Sequence, residues 1–135
     1  MNRTPREFLD TNILVYAFTS DPRAQKAQEL LARGCNAGVQ GLNEFANVAR
    51  RKLGMSWVEL RDALAAIRTL CHTILPIDIN MHVAALPIAE RYGLAVFDAR
   101  MVAAALRADC RILWSEDMHD GLIVDSRLRI ANPFR

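Results

Sequence analysis

The chain has 135 residues, 52% hydrophobic and 24% charged, with a formal net charge of +2. That is long enough to bury a core and too apolar for a disordered chain. No apolar run nears the roughly 18 residues of a membrane span, and residues 1–7 lack a signal-peptide core, which together predict a cytoplasmic protein with no membrane partner.

Strand one is expected at Glu7–Asp10, directly before the apolar run Ile13–Phe18. Asp21-Pro22 predicts an N-cap with proline at the first helical position, opening a helix that Gly34 closes. Asn36–Gln40 is a short strand candidate, although Gly38 weakens strand propensity there. From Leu42 the apolar residues Phe45, Ala46, Ala49 and Leu53 recur at helical spacing, with Gly54 as the stop. Ser56 with Glu59 is a capping box, and the helix it opens carries the stripe Trp57, Leu60, Leu64, Ile67, Cys71. Thr73–Ile77 reads as a strand. A helix over Asn80–Tyr92 ends at Gly93, with Pro87 expected to kink it. Asp98 is expected to cap a helix over Asp98–Ala108, followed by strands at Cys110–Trp114 and Leu128–Ala131. Strands alternating with helices predict an α/β fold, a central mostly parallel sheet flanked by helices, as a single domain over 1–135.

In such a sheet ligands sit beyond the carboxyl ends of the strands. Asp10 and Asp117 fall at two such ends, Asp98 opens a helix leaving the same edge, and Glu44 lies opposite its helix's apolar stripe. Converged carboxylates repel one another unless a cation neutralises them. Oxygen-only ligands suit Mg²⁺ or Mn²⁺ rather than zinc. Cys35, Cys71 and Cys110 are odd in number and lack metal-ligand spacing, so buried free thiols are expected. His72, His82 and His119 show no paired spacing either, and no serine has a His–Asp setting. Two lysines, Lys26 and Lys52, stand against fifteen arginines. Coding bias explains that excess as well as phosphate binding does.

Four stretches, "FLDTNILVYAF" (8–18), "QGLNEFANVARRKL" (40–53), "YGLAVFDARMVAAAL" (92–106) and "LWSEDMHDGLIVDSRLRIANPF" (113–134), together resemble the PIN-domain ribonucleases, specifically VapC-type toxins of bacterial toxin–antitoxin pairs. The resemblance implies that Asp10, Glu44, Asp98 and Asp117 hold one or two Mg²⁺ or Mn²⁺ ions and act catalytically. It assigns supporting roles to Thr11, Asn12 and Ser115, and prefers Asp117 to its neighbour Glu116. It further implies an endoribonuclease that hydrolyses RNA with a metal-activated water, leaving a 5′-phosphate and a 3′-hydroxyl. A homodimer and a cognate antitoxin are the implied partners, with the helix of Trp57 and Leu60 as one contact surface. Arg50, Arg51 and Arg100 are candidates for phosphate tracking, beside Lys52, Arg6 and Arg111. Two positions depart from the family pattern: Arg100 stands where an apolar residue is usual, and "NAGVQG" replaces a more β-branched segment. The alternatives are an idle PIN-fold protein- or RNA-binding module and a receiver-like Mg-binding phosphoacceptor. The receiver would want a second acid after strand one and a late lysine. A haloacid-dehalogenase-like phosphatase would need an acid where Asn12 stands.

Overall fold

Two consecutive residues organise the molecule: Phe8 and Leu9 point to opposite faces of one short strand, and each is wholly buried in a different core. The computed structural model describes residues 4–135. Along it run β1 (Glu7–Leu9), α1 (Thr11–Tyr16), α2 (Ala24–Ala32), β2 (Cys35–Gly38), α3 (Val39–Arg51) and α4 (Trp57–Leu70). There follow β3 (Cys71–Leu75), α5 (Ile79–Tyr92), α6 (Val96–Arg107), β4 (Ile112–Trp114), β5 (Ile123–Val124) and β6 (Leu128–Ala131). The strands form one sheet in the order β3-β2-β1-β4-β6-β5, parallel throughout except that β5 runs antiparallel to β6.

Period-two alternation along β1 divides the helices between the two faces of the sheet. Phe8 packs in the cluster with Ala85, Ile88, Val102 and Ala105, from α5 and α6. Leu9 joins Ile13, Leu14, Leu30, Phe45, Leu60 and Ile67, from α1 to α4. This is the expected α/β architecture. Among the described residues no helix is long and apolar enough to cross a membrane. Cys35, Cys71 and Cys110 are free and buried, as expected.

Several boundaries differ from those expected. The apolar run after Asp10 is a helix, α1, that the sequence pattern left unassigned. Helix α2 opens at Ala24 rather than at Pro22, because the Asp21 Oδ1 accepts from the Arg23 N–H at 2.8 Å and closes a turn first. Helix α3 starts at Val39 instead of Leu42, and β3 ends at Leu75 rather than Ile77. The Ser56–Glu59 capping box is present, but Trp57 is 59% exposed while Leu60 is core, so the stripe turns out of the core at its first residue. Helix α5 continues through Pro87. Gly93 ends it in the left-handed conformation (φ 67°, ψ 35°), which a glycine reaches without a Cβ clash.

Phe45 is fully buried and stands edge-on to Phe18 with ring centres 5.4 Å apart. Phe45→Ala is expected to lower the free energy of unfolding by about 3–5 kcal/mol in a urea titration, against less than about 1 kcal/mol for Leu53→Ala, which is exposed just past the end of the same helix.

Candidate active site

Parallel pairing of β1 with β4 sets Leu9 beside Trp114, so the carboxyl ends of two central strands finish side by side. Asp10 follows β1 immediately, and its N–H donates to the Trp114 carbonyl at 3.0 Å. Its carboxylate is buried and doubly held: Oδ1 accepts from the Thr11 N–H at 2.7 Å, and Oδ2 from the Ser115 hydroxyl at 2.7 Å. Asp10 is thereby the N-cap of α1, the position where a short acceptor side chain satisfies an otherwise unpaired helix N–H. Ser115 is wholly buried; its N–H donates to the Ala131 carbonyl at 2.9 Å, and its Oγ accepts from the Met118 N–H at 3.2 Å. One hydroxyl therefore joins the acid after β1 to the loop that carries Asp117.

Helix α1 presents the next two donors. The Thr11 hydroxyl donates to Glu44 Oε2 at 2.5 Å, and the Asn12 amide donates to Asp117 Oδ2. Asp98 arrives from the other side. It is not the N-cap of α6, which is Ala95 with no side-chain cap; it sits in the first turn, where the helix dipole favours an anion. Relieved of capping, its carboxylate faces the same cleft. The start of α6 is tied to the start of α3 by Gln40, whose buried side chain donates to the Phe97 carbonyl at 3.1 Å. Asp10, Thr11, Asn12, Glu44, Asp98 and Asp117 line one cleft of about 300 Å³, together with Asn47, Val48 and Phe97. A larger hollow of about 610 Å³ between α5 and α6 gathers Arg91, Arg107 and Arg127 instead.

Burial pushes the Asp10 carboxyl up to about 6; the bonds from Ser115 and Thr11 pull it down, and the charges of Asp98 and Glu44 raise it further. Asp98 is also raised, by burial first and by Asp117 second. Among the described residues no cation pairs with any of the four acids. Six others, Glu7, Asp21, Asp78, Asp109, Glu116 and Asp120, each have an arginine. Four carboxylates with hydroxyl and amide groups beside them, and no thiol or imidazole in the cleft, fit a hard divalent cation. No three of the described acidic, histidine or cysteine side chains form a ready-made cage. Asp10 is held by the Thr11 N–H and the Ser115 hydroxyl, Glu44 by the Thr11 hydroxyl and Asp117 by the Asn12 amide.

Glu116 is turned away from the cleft. Its carboxylate accepts from the Tyr16 hydroxyl at 2.6 Å and from Arg23 at 2.9 Å, and that guanidinium lies 4.3 Å from the Tyr16 ring centre. This clamp, like Gln40 and Asn47, was missed in the sequence; for Asn47 the signal was its place three residues beyond Glu44 on the same helix face. The basic candidates do not enter the cleft. Arg100 lies over the Phe97 ring at 5.1 Å and lines a separate small hollow with Gln40, and Arg50 stacks on Trp57. Arg51 is exposed on the Glu44 face of α3, one turn beyond Val48.

The family model for the PIN domain matches residues 8–119. No curated protein matches the sequence. Among solved structures, the chain is similar to the Mycobacterium tuberculosis toxin VapC20, described as cleaving the sarcin–ricin loop, with a TM-score of 0.67 and 20% identity over 82% of this chain and 89% of that one. It is similar to a toxin–antitoxin complex from Klebsiella pneumoniae, with a TM-score of 0.71 and 17% identity over 94% and 97%. VapBC2 of Rickettsia felis, bound to a DNA fragment from its promoter, gives a TM-score of 0.61 and 19% identity over 93% and 97%.

The raised Asp10 carboxyl has a signed consequence. The folded chain holds a proton that the unfolded chain has released, so this contribution to stability is present at low pH and lost as the pH rises from 3.8 to about 6. Subtracting the urea-unfolding profile of Asp10→Asn from that of the wild type, both in chelator, is expected to give a fall of up to ~3 kcal/mol across that window. Superimposable profiles would refute the burial assigned to Asp10.

Proposed function

The chain belongs to the PIN domain family, and from that membership we propose that it is a divalent-metal-dependent endoribonuclease, the VapC-like toxin of a type II toxin–antitoxin pair. In this reading it is one domain, acting in the cytoplasm on single-stranded or loop RNA. The observation that carries the reading is the cleft in which Asp10, Glu44, Asp98 and Asp117 meet without a basic partner among the described residues. Uncompensated acids gathered at a strand edge are costly unless the ligand they await is a cation.

Those carboxylates would hold Mg²⁺ or Mn²⁺, which when bound lowers the pKa of a water and offsets charge gathering on the scissile phosphate. The chain's own residues do the positioning. Ser115 and the Thr11 N–H fix both Asp10 oxygens, leaving their remaining lone pairs for the ligand. Thr11 and Asn12 orient Glu44 and Asp117 from one helix turn. The Tyr16–Glu116–Arg23 clamp steadies the loop before Asp117. Helix α1 is thus a template that sets the spacing of acids distant in sequence. No protein nucleophile is required, and the expected products are a 5′-phosphate and a 3′-hydroxyl.

The proposed partners are an antitoxin and a second copy of the chain. The toxin–antitoxin complexes among the similar structures support the first. Support for the second comes from Ile79, Val83 and Leu86, an exposed apolar row on α5, rather than from Leu60, which is core.

Incubation of single-stranded RNA with the purified chain and Mn²⁺ is expected to release fragments bearing 5′-phosphates. Asp10→Asn should slow this at least about a hundredfold, and Ser115→Ala about 10- to 100-fold, the usual cost of losing a group that orients a ligand. Equal cleavage by wild type and Asp10→Asn would contradict the assignment.

A further inference from the structure

The cleft is anionic, so a polyanion needs attachment points outside it. One corner of the surface supplies them. Trp57, the first residue of α4, is 59% exposed, and its neighbour Val58 is 60% exposed. The indole is not loose. The Arg50 guanidinium lies 4.2 Å from its ring centre and donates from Nη1 to the Met55 carbonyl at 2.6 Å, while the Ser56–Glu59 box fixes the helix start beneath it. Arg51 and Lys52, next in sequence to Arg50, are exposed, and Arg61 is exposed one turn along α4 from Trp57. Of the acids at this corner, Glu59 is tied to the Ser56 N–H and keeps its charge, so Glu59 and Asp62 stand against the four cations Arg50, Arg51, Lys52 and Arg61. The corner adjoins the cleft: Glu44, Asn47 and Val48 line it, and Arg51 is the next residue on that row of α3, roughly 10 Å from Glu44 along the axis.

We propose that Trp57 is a stacking platform for an unpaired base of single-stranded RNA, whose phosphates Arg51, Lys52 and Arg61 track as the strand leaves the acidic cleft. This rests on the nuclease reading above. A rigid, exposed aromatic ring in a basic frame recognises any base by its π-face and the backbone by charge, and it does so only where bases are unpaired. Arg50 contributes by holding the indole, not by reaching phosphate.

The test uses the Asp98→Asn chain with Mg²⁺, so that RNA binds without turnover, and follows a labelled single-stranded RNA by fluorescence anisotropy. Adding Trp57→Ala is expected to weaken binding roughly tenfold, with the salt dependence unchanged, whereas Trp57→Phe retains most of the affinity. Adding Arg51→Ala is expected to reduce the slope of log affinity against log salt by about 0.7, one phosphate contact on a single strand. Unchanged RNA affinity in the Trp57→Ala chain, with its circular dichroism preserved, overturns the platform, also when that substitution releases a protein partner instead. The nuclease reading is judged separately with the Asp98 carboxylate intact. Cleavage whose KM ignores Trp57→Ala keeps the nuclease and sinks the platform. Binding that depends on Trp57 in a wild-type chain that cuts nothing keeps the platform and sinks the nuclease.

Discussion

The structure depends on one buried carboxylate. Asp10 is placed where β1 stops and α1 begins, with one oxygen on the Thr11 N–H and the other on the Ser115 hydroxyl. The first bond starts the helix that carries Thr11 and Asn12. The second locks the loop after β4, and with it Asp117, against β1. Remove that carboxylate and a helix start, a loop and the centre of the cleft lose their common anchor. Burial opposes its charge, which is why its pKa rises to about 6 even with two donors on it. A side chain kept at that cost in a strand-end position points to a ligand rather than to a structural stop.

Its neighbours follow the same economy of parts. Six acids elsewhere are matched with arginines, so the chain does not lack cations to neutralise its cleft. It directs them elsewhere. Arg23 goes to Glu116, the residue adjacent to Asp117, and turns that acid out of the cleft. Arg50 goes to Trp57, and Arg100 lies over Phe97. Glu44 and Asp117 receive neutral donors from α1 instead, which orient a carboxylate without cancelling its charge.

Much of this was legible in the sequence because short-range rules govern it. The capping box at Ser56, the glycine stop at Gly93 and the alternation of strands with helices each follow from neighbours a few residues apart. The four acids could be proposed because each stands where a strand or helix ends, or opposite an apolar stripe. What remained hidden depends on distant contacts. Helix α1 looks like an extended apolar run until the sheet is built and Ile13 and Leu14 have a core to enter. The start of α6 lies at Val96 rather than Asp98, with the Ala99 N–H already bonded to the Ala95 carbonyl. Its first turn is met by Gln40, which donates to the Phe97 carbonyl from 57 residues before Phe97 in the chain. Glu116 and Asp117 differ only by which of two adjacent acids meets Tyr16 and Arg23, and no local pattern states that. Trp57 fitted a helical stripe by spacing, yet it stands in solvent while Leu60, three residues on, enters the core.

The most direct test of the central claim is a calorimetric titration of the chain with Mg²⁺ or Mn²⁺ near neutral pH and again near pH 5. If the four carboxylates form a cation site, binding is saturable, weakens at the lower pH as protons compete for Asp10, and is abolished by Glu44→Gln, which spares the Asp10 anchor. Heats that never saturate, or that are identical in Glu44→Gln, would mean that these acids share a cleft without sharing an ion.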